Sequence, residues 1–251
     1  MWEQEEALST EQWRASPRGS FALAQQKQVL QHVMSRWPRR GCSILDVDCG
    51  AGLFSEFLWE SGFDVTCLAR NQAMLESAQV RLGSRASYQV GLAGHLPFDD
   101  HDFDYVALLG AFADMDDPRT ALEEALRVAA RGVILGFFNA CSLARLAQAL
   151  PRGGSMPHVR WLSPAALWRL LRLLPDIRRA RFGAVLLGPP FTWREGKICG
   201  FCNKLRLPLP VGAYVALSIT LGPTLPLTAL PLRLGKGRLG EASPHALREG
   251  R

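Results

Sequence analysis

The sequence is poor in cysteine, in histidine and, over its last hundred residues, in acidic side chains. Its 251 residues include six cysteines and five histidines, and the chain starts without a basic segment that leads into an apolar stretch and a cleavage site. A disulfide-rich secreted protein is therefore not expected, and the thiols are predicted to stay reduced in the cytoplasm. Cys199 and Cys202 lack a second ligand pair at suitable spacing, so no metal site is predicted. The two thiols are expected to be half-buried in a strand region.

The acidic side chains are unevenly distributed. Residues 1–151 contain 13 basic and 19 acidic residues, whereas residues 152–251 contain 16 basic and 4 acidic residues. No nucleic-acid-binding module accompanies the basic part, and aromatic residues are not interleaved with the basic ones, so no nucleic-acid partner is expected. We predict a solvated basic face that balances the acidic part, with an acidic substrate or an anionic membrane surface as alternatives.

Charge is absent altogether from residues 207–232. This length could span a bilayer, but an interior proline costs a helix about 3 kcal/mol. The segment contains five prolines: Pro208, Pro210, Pro223, Pro226 and Pro231. We therefore predict a buried strand, 211–221, followed by an apolar tail, with peripheral membrane contact or an apolar substrate as the alternative.

The remaining composition is that of one large globular domain, with 48% hydrophobic and 21% charged residues. From Gly41 to Asn139, short aliphatic runs alternate with amphipathic stretches, which is typical of an α/β fold with a mostly parallel sheet. The predicted strands are 43–47, 64–68, 86–90, 105–109 and 132–137, and the predicted helices are 21–37, 53–60, 72–82, 119–128, 142–150 and 164–174.

The segment Asp46-Val47-Asp48-Cys49-Gly50-Ala51-Gly52 joins the first strand to the next helix. Glycines in such a turn accept a positive φ and let a ligand approach the backbone, and the following helix presents free N–H groups to an anion. A nucleotide-like cofactor is the expected ligand. Tight strand-to-helix turns also need glycine for steric reasons, so this turn alone is a weak signal.

Three further segments follow in order: Gly62 to Leu68 with Met74-Leu75, Leu96 to Asp100 with Phe103 to Val106, and Asp117 to Val128. Together the four segments resemble class I S-adenosylmethionine-dependent methyltransferases, in particular the small-molecule group called type 11 and a bacterial subgroup of it. The resemblance extends over residues 13–145. It implies a Rossmann-like, doubly wound, seven-stranded and mostly parallel sheet, S-adenosylmethionine as cofactor, and methyl transfer to a small-molecule acceptor.

The resemblance also implies where the cofactor binds and where a base could lie. The implied cofactor-binding residues are Asp46, Asp48, Gly50, Gly52, Ala69, Arg70, Leu92, Ala93, Leu109 and Gly110. His158, in the loop after the fifth strand, is the candidate catalytic base, with an ordinary exposed loop histidine as the alternative.

Three positions depart from the family pattern. Asp48 replaces a glycine, Ala69 replaces the acid that holds the ribose, and Leu92 replaces the acid that receives the adenine amino group. Each lost hydrogen bond to a charged acceptor costs about 1.5–3 kcal/mol, so weak cofactor binding is predicted unless Arg70, Asn71 or Asp48 compensates. The leading hypothesis is a methyltransferase acting on a small, apolar or lipid-like acceptor. The alternative is a degenerate methyltransferase-like binding or scaffolding protein.

Three regions are predicted along the chain. Residues 1–40 form a helical prelude or lid, residues 41–221 form the Rossmann-like domain with a helical insertion at about 140–175, and residues 222–251 form an apolar and then basic tail.

Overall fold

The computed structural model describes residues 13, 15–109, 117–148, 160–172, 177–196, 199–207, 209 and 211–222. Its elements in chain order are α1 (Pro17–Val33), β1 (Ser43–Val47), α2 (Leu53–Glu60), β2 (Asp64–Ala69), α3 (Gln72–Leu82), β3 (Ala86–Val90), β4 (Phe103–Leu108), α4 (Pro118–Val128), β5 (Ala129–Asn139), α5 (Leu143–Gln148), β6 (Trp161–Leu162), α6 (Pro164–Arg172), β7 (Ile177–Val185), α7 (Cys199–Lys204) and β8 (Tyr214–Leu221).

The strands form one sheet with the order β3-β2-β1-β4-β5-β8-β7. In this order, the first five strands (β3, β2, β1, β4 and β5) pair in parallel, whereas β8 runs antiparallel to both β5 and β7. This sheet confirms the predicted Rossmann-like, mostly parallel fold. The sheet has eight strands and not the seven implied, and two of them were not predicted individually. Strand β7 pairs with β8. The two-residue strand β6 pairs in parallel with the end of β5, beyond the last residue of β5 that pairs with β4.

Helices cover both faces of the sheet, as a doubly wound fold requires. In β1, Ile44 belongs to the buried cluster that contains side chains of α1, α2 and α3, whereas Leu45 and Val47 belong to the cluster formed with α4 and α6. Successive side chains of a strand point to opposite faces, so β1, which is buried from Ile44 to Val47, is covered from both sides.

Helix α1 begins four residues before its predicted start. The side-chain oxygen of Ser16 accepts a hydrogen bond from the backbone N–H of Gly19, and Pro17 occupies the first turn, where its missing N–H costs least. The Pro17-Arg18-Gly19 segment is therefore the first turn of the helix and not a turn before it. The predicted lid helix packs against β7 and β8.

The predicted strand in the uncharged segment is confirmed as β8, although it begins at Tyr214. It lies between β5 and β7, and its residues 214–219 are buried. Among the described residues, no helix is long and apolar enough to cross a membrane. The five prolines of the segment and the tail after Gly222 lie outside the described residues.

The strand predicted around Cys199 and Cys202 is wrong, because this segment forms the short helix α7 with Cys202 exposed. Its position depends on a distant contact: the side-chain oxygen of Asn203 accepts from the Gly188 N–H, and its amide nitrogen donates to the Thr192 carbonyl. The six residues of α7 show no apolar periodicity, so the sequence could not predict this contact.

Candidate active site

The turn after β1 joins the carboxyl ends of two neighbouring strands. The backbone N–H of Cys49 donates to the carbonyl of Leu68 on β2 over 3.0 Å, and the N–H of Gly52 donates back to the Cys49 carbonyl over 3.0 Å. Asp48, Gly50 and Gly52 have φ angles of 58°, 53° and 74°. The turn is thus built from left-handed residues and lies at the sheet edge where open α/β sheets bind ligands.

The two glycines of this turn serve different purposes. A Cβ on Gly52 would lie 2.8 Å from Leu82 and 3.2 Å from Ala78, so Gly52 is needed for packing against α3. A Cβ on Gly50 would meet nothing within 4 Å. The space beside Gly50 is therefore open to a ligand, and the backbone fits the close approach of a cofactor.

Asp46 is fully buried below the turn. The Ser55 hydroxyl on α2 donates to its Oδ2 over 2.5 Å. Burial raises the pKa of Asp46 from 3.8 to about 7, the Ser55 hydrogen bond opposes this, and the Asp48 charge adds to it. Asp46 is thus sealed from solvent and connects β1 to α2 through Ser55.

Asp48 lies in a different environment from Asp46, although only one residue separates them. Its Oδ2 lies 3.7 Å from an Nη atom of Arg70 at the end of β2, and the two side chains are 10% and 39% exposed. This is an ion pair longer than a hydrogen bond. Both side chains line a cavity.

The cavity has a volume of about 380 Å³. Asp48 and Arg70 line it from the ends of β1 and β2, Leu92 and Ala93 from the loop after β3, and Thr120 and Ala121 from α4. A lining that combines charged groups with small or apolar ones suits a nucleoside that carries a charged substituent. The structure therefore brings together implied cofactor residues from three separate motifs.

Cys49 also lies in the turn, but as a packing group. A hydrogen bond with the Cys67 thiol and burial both raise the pKa of Cys49. The thiolate is the nucleophilic form of cysteine, so Cys49 is unsuited to covalent catalysis.

Sequence analysis missed the residues that hold the loop after β3. Glu124 on α4 accepts the backbone N–H of Leu96 over 2.9 Å, and Arg127 donates to the carbonyls of Leu96 and Phe98 over 3.1 and 2.9 Å. Arg127 also pairs with both oxygens of Glu124 over 2.8 Å. The Arg127 guanidinium lowers the pKa of Glu124. The available signal was their i,i+3 spacing on α4, which does not reveal the loop that they bind.

The other implied residues differ in position. Ala69 is fully buried, Leu92 is 60% exposed, and Leu109 is buried directly after β4. Asn71, expected as a compensating group, instead accepts the Met74 N–H as the N-cap of α3. Gly110 and His158 lie outside the described residues.

The comparisons with known proteins agree with this geometry. Residues 45–137 match a family model described as “Methyltransferase domain”. Residues 45–137 are therefore similar to methyltransferase domains. The predicted family and fold class are confirmed, and S-adenosylmethionine is the cofactor of this methyltransferase family, as predicted.

Two relatives show how far the sequence similarity extends. The chain is 35% identical over 107 residues to the O-methyltransferase resE of Aspergillus sclerotiorum, which covers 40% of each chain. It is 32% identical over 130 residues to the demethylmenaquinone methyltransferase of Clavibacter sepedonicus, which covers 51% of this chain and 52% of that protein. The methyltransferase domain thus spans about half the length of these relatives or less.

Solved structures share the fold over a longer stretch. A SAM-dependent methyltransferase of Thermotoga maritima superposes with a TM-score of 0.64 and 21% identity, covering 84% of this chain and 93% of that one. The magnesium protoporphyrin IX methyltransferase of Synechocystis with bound SAM gives a TM-score of 0.53 and 13% identity, covering 82% of both chains. At these identities the likeness is one of fold.

Proposed function

We propose that this protein is an S-adenosylmethionine-dependent methyltransferase that acts on a small-molecule acceptor. The observation that carries the proposal is the cavity at the carboxyl edge of the sheet, which is lined by the β1 turn, the end of β2 and the loop after β3. These are the segments that the family resemblance assigned to the cofactor.

The cofactor supplies a methyl group already activated on a sulfonium, so the chain has to bind the cofactor, orient the acceptor and exclude water. Leu92, Ala93 and Ala121 offer small or apolar walls to a flat heterocycle. Asp48 and Arg70 offer charges of both signs to the polar groups. His158, a candidate base from the sequence, is needed only if the acceptor must lose a proton.

We propose further that the acceptor is apolar or lipid-like. The similarity to a demethylmenaquinone methyltransferase supports this. A cytoplasmic location and a role without nucleic acid belong to the same proposal.

A second function, that of a degenerate binding protein, is favoured by Ala69 and Leu92. Ala69 is buried and Leu92 carries no polar group, so neither side chain can receive a hydrogen bond from the adenosyl group. Such a protein would keep the fold and bind the cofactor weakly or not at all.

Calorimetric titration of the full chain with S-adenosylmethionine and S-adenosylhomocysteine tests the first proposal. We expect both to bind with one site per chain, and methyl transfer to be detected by mass spectrometry with quinone-like or acyl acceptors. If neither compound binds, the enzyme proposal is wrong and the degenerate binding protein is favoured.

Substitution of Leu92 separates the two functions further. Leu92→Asp supplies an acceptor at the cavity wall, so cofactor affinity should rise about 10- to 150-fold if adenine lies there. Val80→Asp on α3, which is also strongly exposed and does not line this cavity, is the matched control and should change nothing. Equal affinities of both variants and the native protein would argue that the cavity holds another ligand.

A further inference from the structure

Asp48 has a backbone conformation that non-glycine residues seldom adopt. Its φ is 58°, in the left-handed region where aspartate is better tolerated than most side chains. Residues held in such conformations cluster at binding sites, where the surrounding structure maintains them. The side chain is only 10% exposed, yet it forms part of the cavity lining.

Arg70 balances the charge of Asp48 from the neighbouring strand. The closest approach of the two groups is 3.7 Å, which is longer than a hydrogen bond, and Arg70 is 39% exposed. Both residues extend from the carboxyl ends of adjacent parallel strands, β1 and β2. The arrangement holds a carboxylate at the cavity wall with its charge compensated.

The other acids near the cavity are engaged elsewhere. Among the described lining residues, the second carboxylate is Asp117, which caps α4. One of its oxygens accepts the N–H groups of Arg119 and Thr120 over 3.0 and 3.3 Å, and the other accepts the Thr120 hydroxyl. Asp46 is buried against Ser55. Of these three acids, Asp48 is the one that lines the cavity directly after a strand, beside the end of β2.

We infer that Asp48 accepts hydrogen bonds from the ribose hydroxyls of the adenosyl group and replaces, from β1, the acid that β2 lacks at Ala69. The two oxygens of a carboxylate can accept from two adjacent hydroxyls, and hydrogen bonds to an ionised acceptor are the strong ones. Arg70 is the positioning residue that keeps the carboxylate in place. This inference rests on the proposed function and identifies how the same site recognises its cofactor.

The test combines a change in the ligand with a change in the protein. Calorimetry gives the Kd of S-adenosylhomocysteine and of its 2′-deoxy counterpart for the native chain, for Asp48→Asn and for Asp64→Asn. Asp64 is an exposed acid at the opposite end of β2, so its substitution removes the same charge outside the cavity. Thermal unfolding checks that each variant folds.

The native chain should bind the 2′-deoxy ligand about 10- to 150-fold more weakly than the parent ligand. In Asp48→Asn the parent ligand should lose affinity by a similar factor and the preference should shrink to less than threefold, whereas Asp64→Asn should behave like the native chain. Equal binding of the two ligands by the native chain, or full preference in folded Asp48→Asn, would overturn the inference while leaving the methyltransferase proposal intact. If the native chain binds neither ligand, the proposed function fails, and the inference with it.

Arg70 provides an independent check of the positioning role. Arg70→Gln should reduce the preference between the two ligands, and Arg70→Lys should restore part of it, because a cation is again available to Asp48. An unchanged preference in Arg70→Gln would show that Arg70 does not position the carboxylate.

Discussion

The two edges of the parallel sheet use polar side chains in opposite ways. At the amino edge, the backbone N–H of Ser43 donates to Asp104 over 3.0 Å, the N–H of Asp104 donates back to the Ser43 hydroxyl over 3.0 Å, and Arg131 pairs with Asp104 at 2.9 Å. At the carboxyl edge, Asp48 and Arg70 approach no closer than 3.7 Å and line a cavity.

From this difference we infer that one end of β1 serves stability, and we propose that the other serves binding. At Ser43 each polar group satisfies a partner within the protein, and the stacked rings of Trp37 and Tyr105, with centroids 4.2 Å apart, pack nearby. At Asp48 the backbone is left-handed and the charges are held apart.

Removal of β8 should destabilise the whole sheet, including both of its edges, because this strand links β5 to β7 in the common core. Val215, Leu217 and Ile219 are fully buried, and each large aliphatic side chain cut to alanine costs about 2–5 kcal/mol. A chain that ends after Arg206 should be insoluble or molten, as measured by near-UV circular dichroism and thermal unfolding.

A chain that ends after Gly222 keeps β8 and serves as the control. It should unfold cooperatively. If the shorter chain instead is stable and has merely lost binding to anionic vesicles, the segment is a membrane-binding element and the core assignment is wrong.

Two glycines at opposite ends of β1 offer a matched test of the comparison. Gly41 and Gly50 have φ angles of 66° and 53°, and an added Cβ would meet nothing within 4 Å at either position. Valine at each should cost a similar amount of stability, about 1–2 kcal/mol, from the left-handed backbone. Gly50→Val should weaken S-adenosylhomocysteine binding at least 100-fold by calorimetry, whereas Gly41→Val should leave it unchanged. Equal affinities of the two variants would show that Gly50 does not lie in the cofactor site.

Asp104→Ala should show the converse pattern at the amino edge. It removes the acceptor for the Ser43 N–H and the partner of Arg131, and should lower the free energy of unfolding by about 1–3 kcal/mol in urea titration. Most of this comes from the hydrogen bond, because Arg131 is half exposed and such pairs contribute little. Cofactor affinity should change by less than about twofold. A large loss of affinity without loss of stability would contradict the separation of the two edges.

The last expected effect is a pH dependence from Asp46. Folding raises the pKa of this carboxyl from 3.8 to about 7, mainly by burial, so the folded state binds the proton more tightly than the unfolded state. Its favourable contribution is complete below about pH 4 and is lost as the pH rises towards 7. Asp46→Asn should therefore gain stability relative to the native chain between pH 4 and pH 8. A difference that is constant with pH, measured by urea unfolding, would show that the pKa is not raised.

Local sequence patterns predicted most of the parallel half of the sheet. The bounds of β1, α2, α3 and β3 agree with prediction, because apolar periodicity and glycine or capping signals lie within each segment. Two of the errors fell where a partner distant in sequence decides the structure, whereas the start of α1 is set by the adjacent Ser16 cap. The contacts of Asn203 determine where α7 lies, and pairing with the end of β5 forms β6.

For the site, the sequence by itself determined the glycine turn, the missing acids at Ala69 and Leu92, and the resemblance to a family that uses S-adenosylmethionine. Only the tertiary structure decided which acid faces the cavity and what holds its walls. Asp46 and Asp48 are two residues apart, yet one is sealed against Ser55 and the other lies beside Arg70, while Glu124 and Arg127 hold a loop about thirty residues earlier in the chain. The physical reason is that burial, pKa and ion pairing depend on distances in space, which the folded sheet sets between residues that local patterns cannot relate.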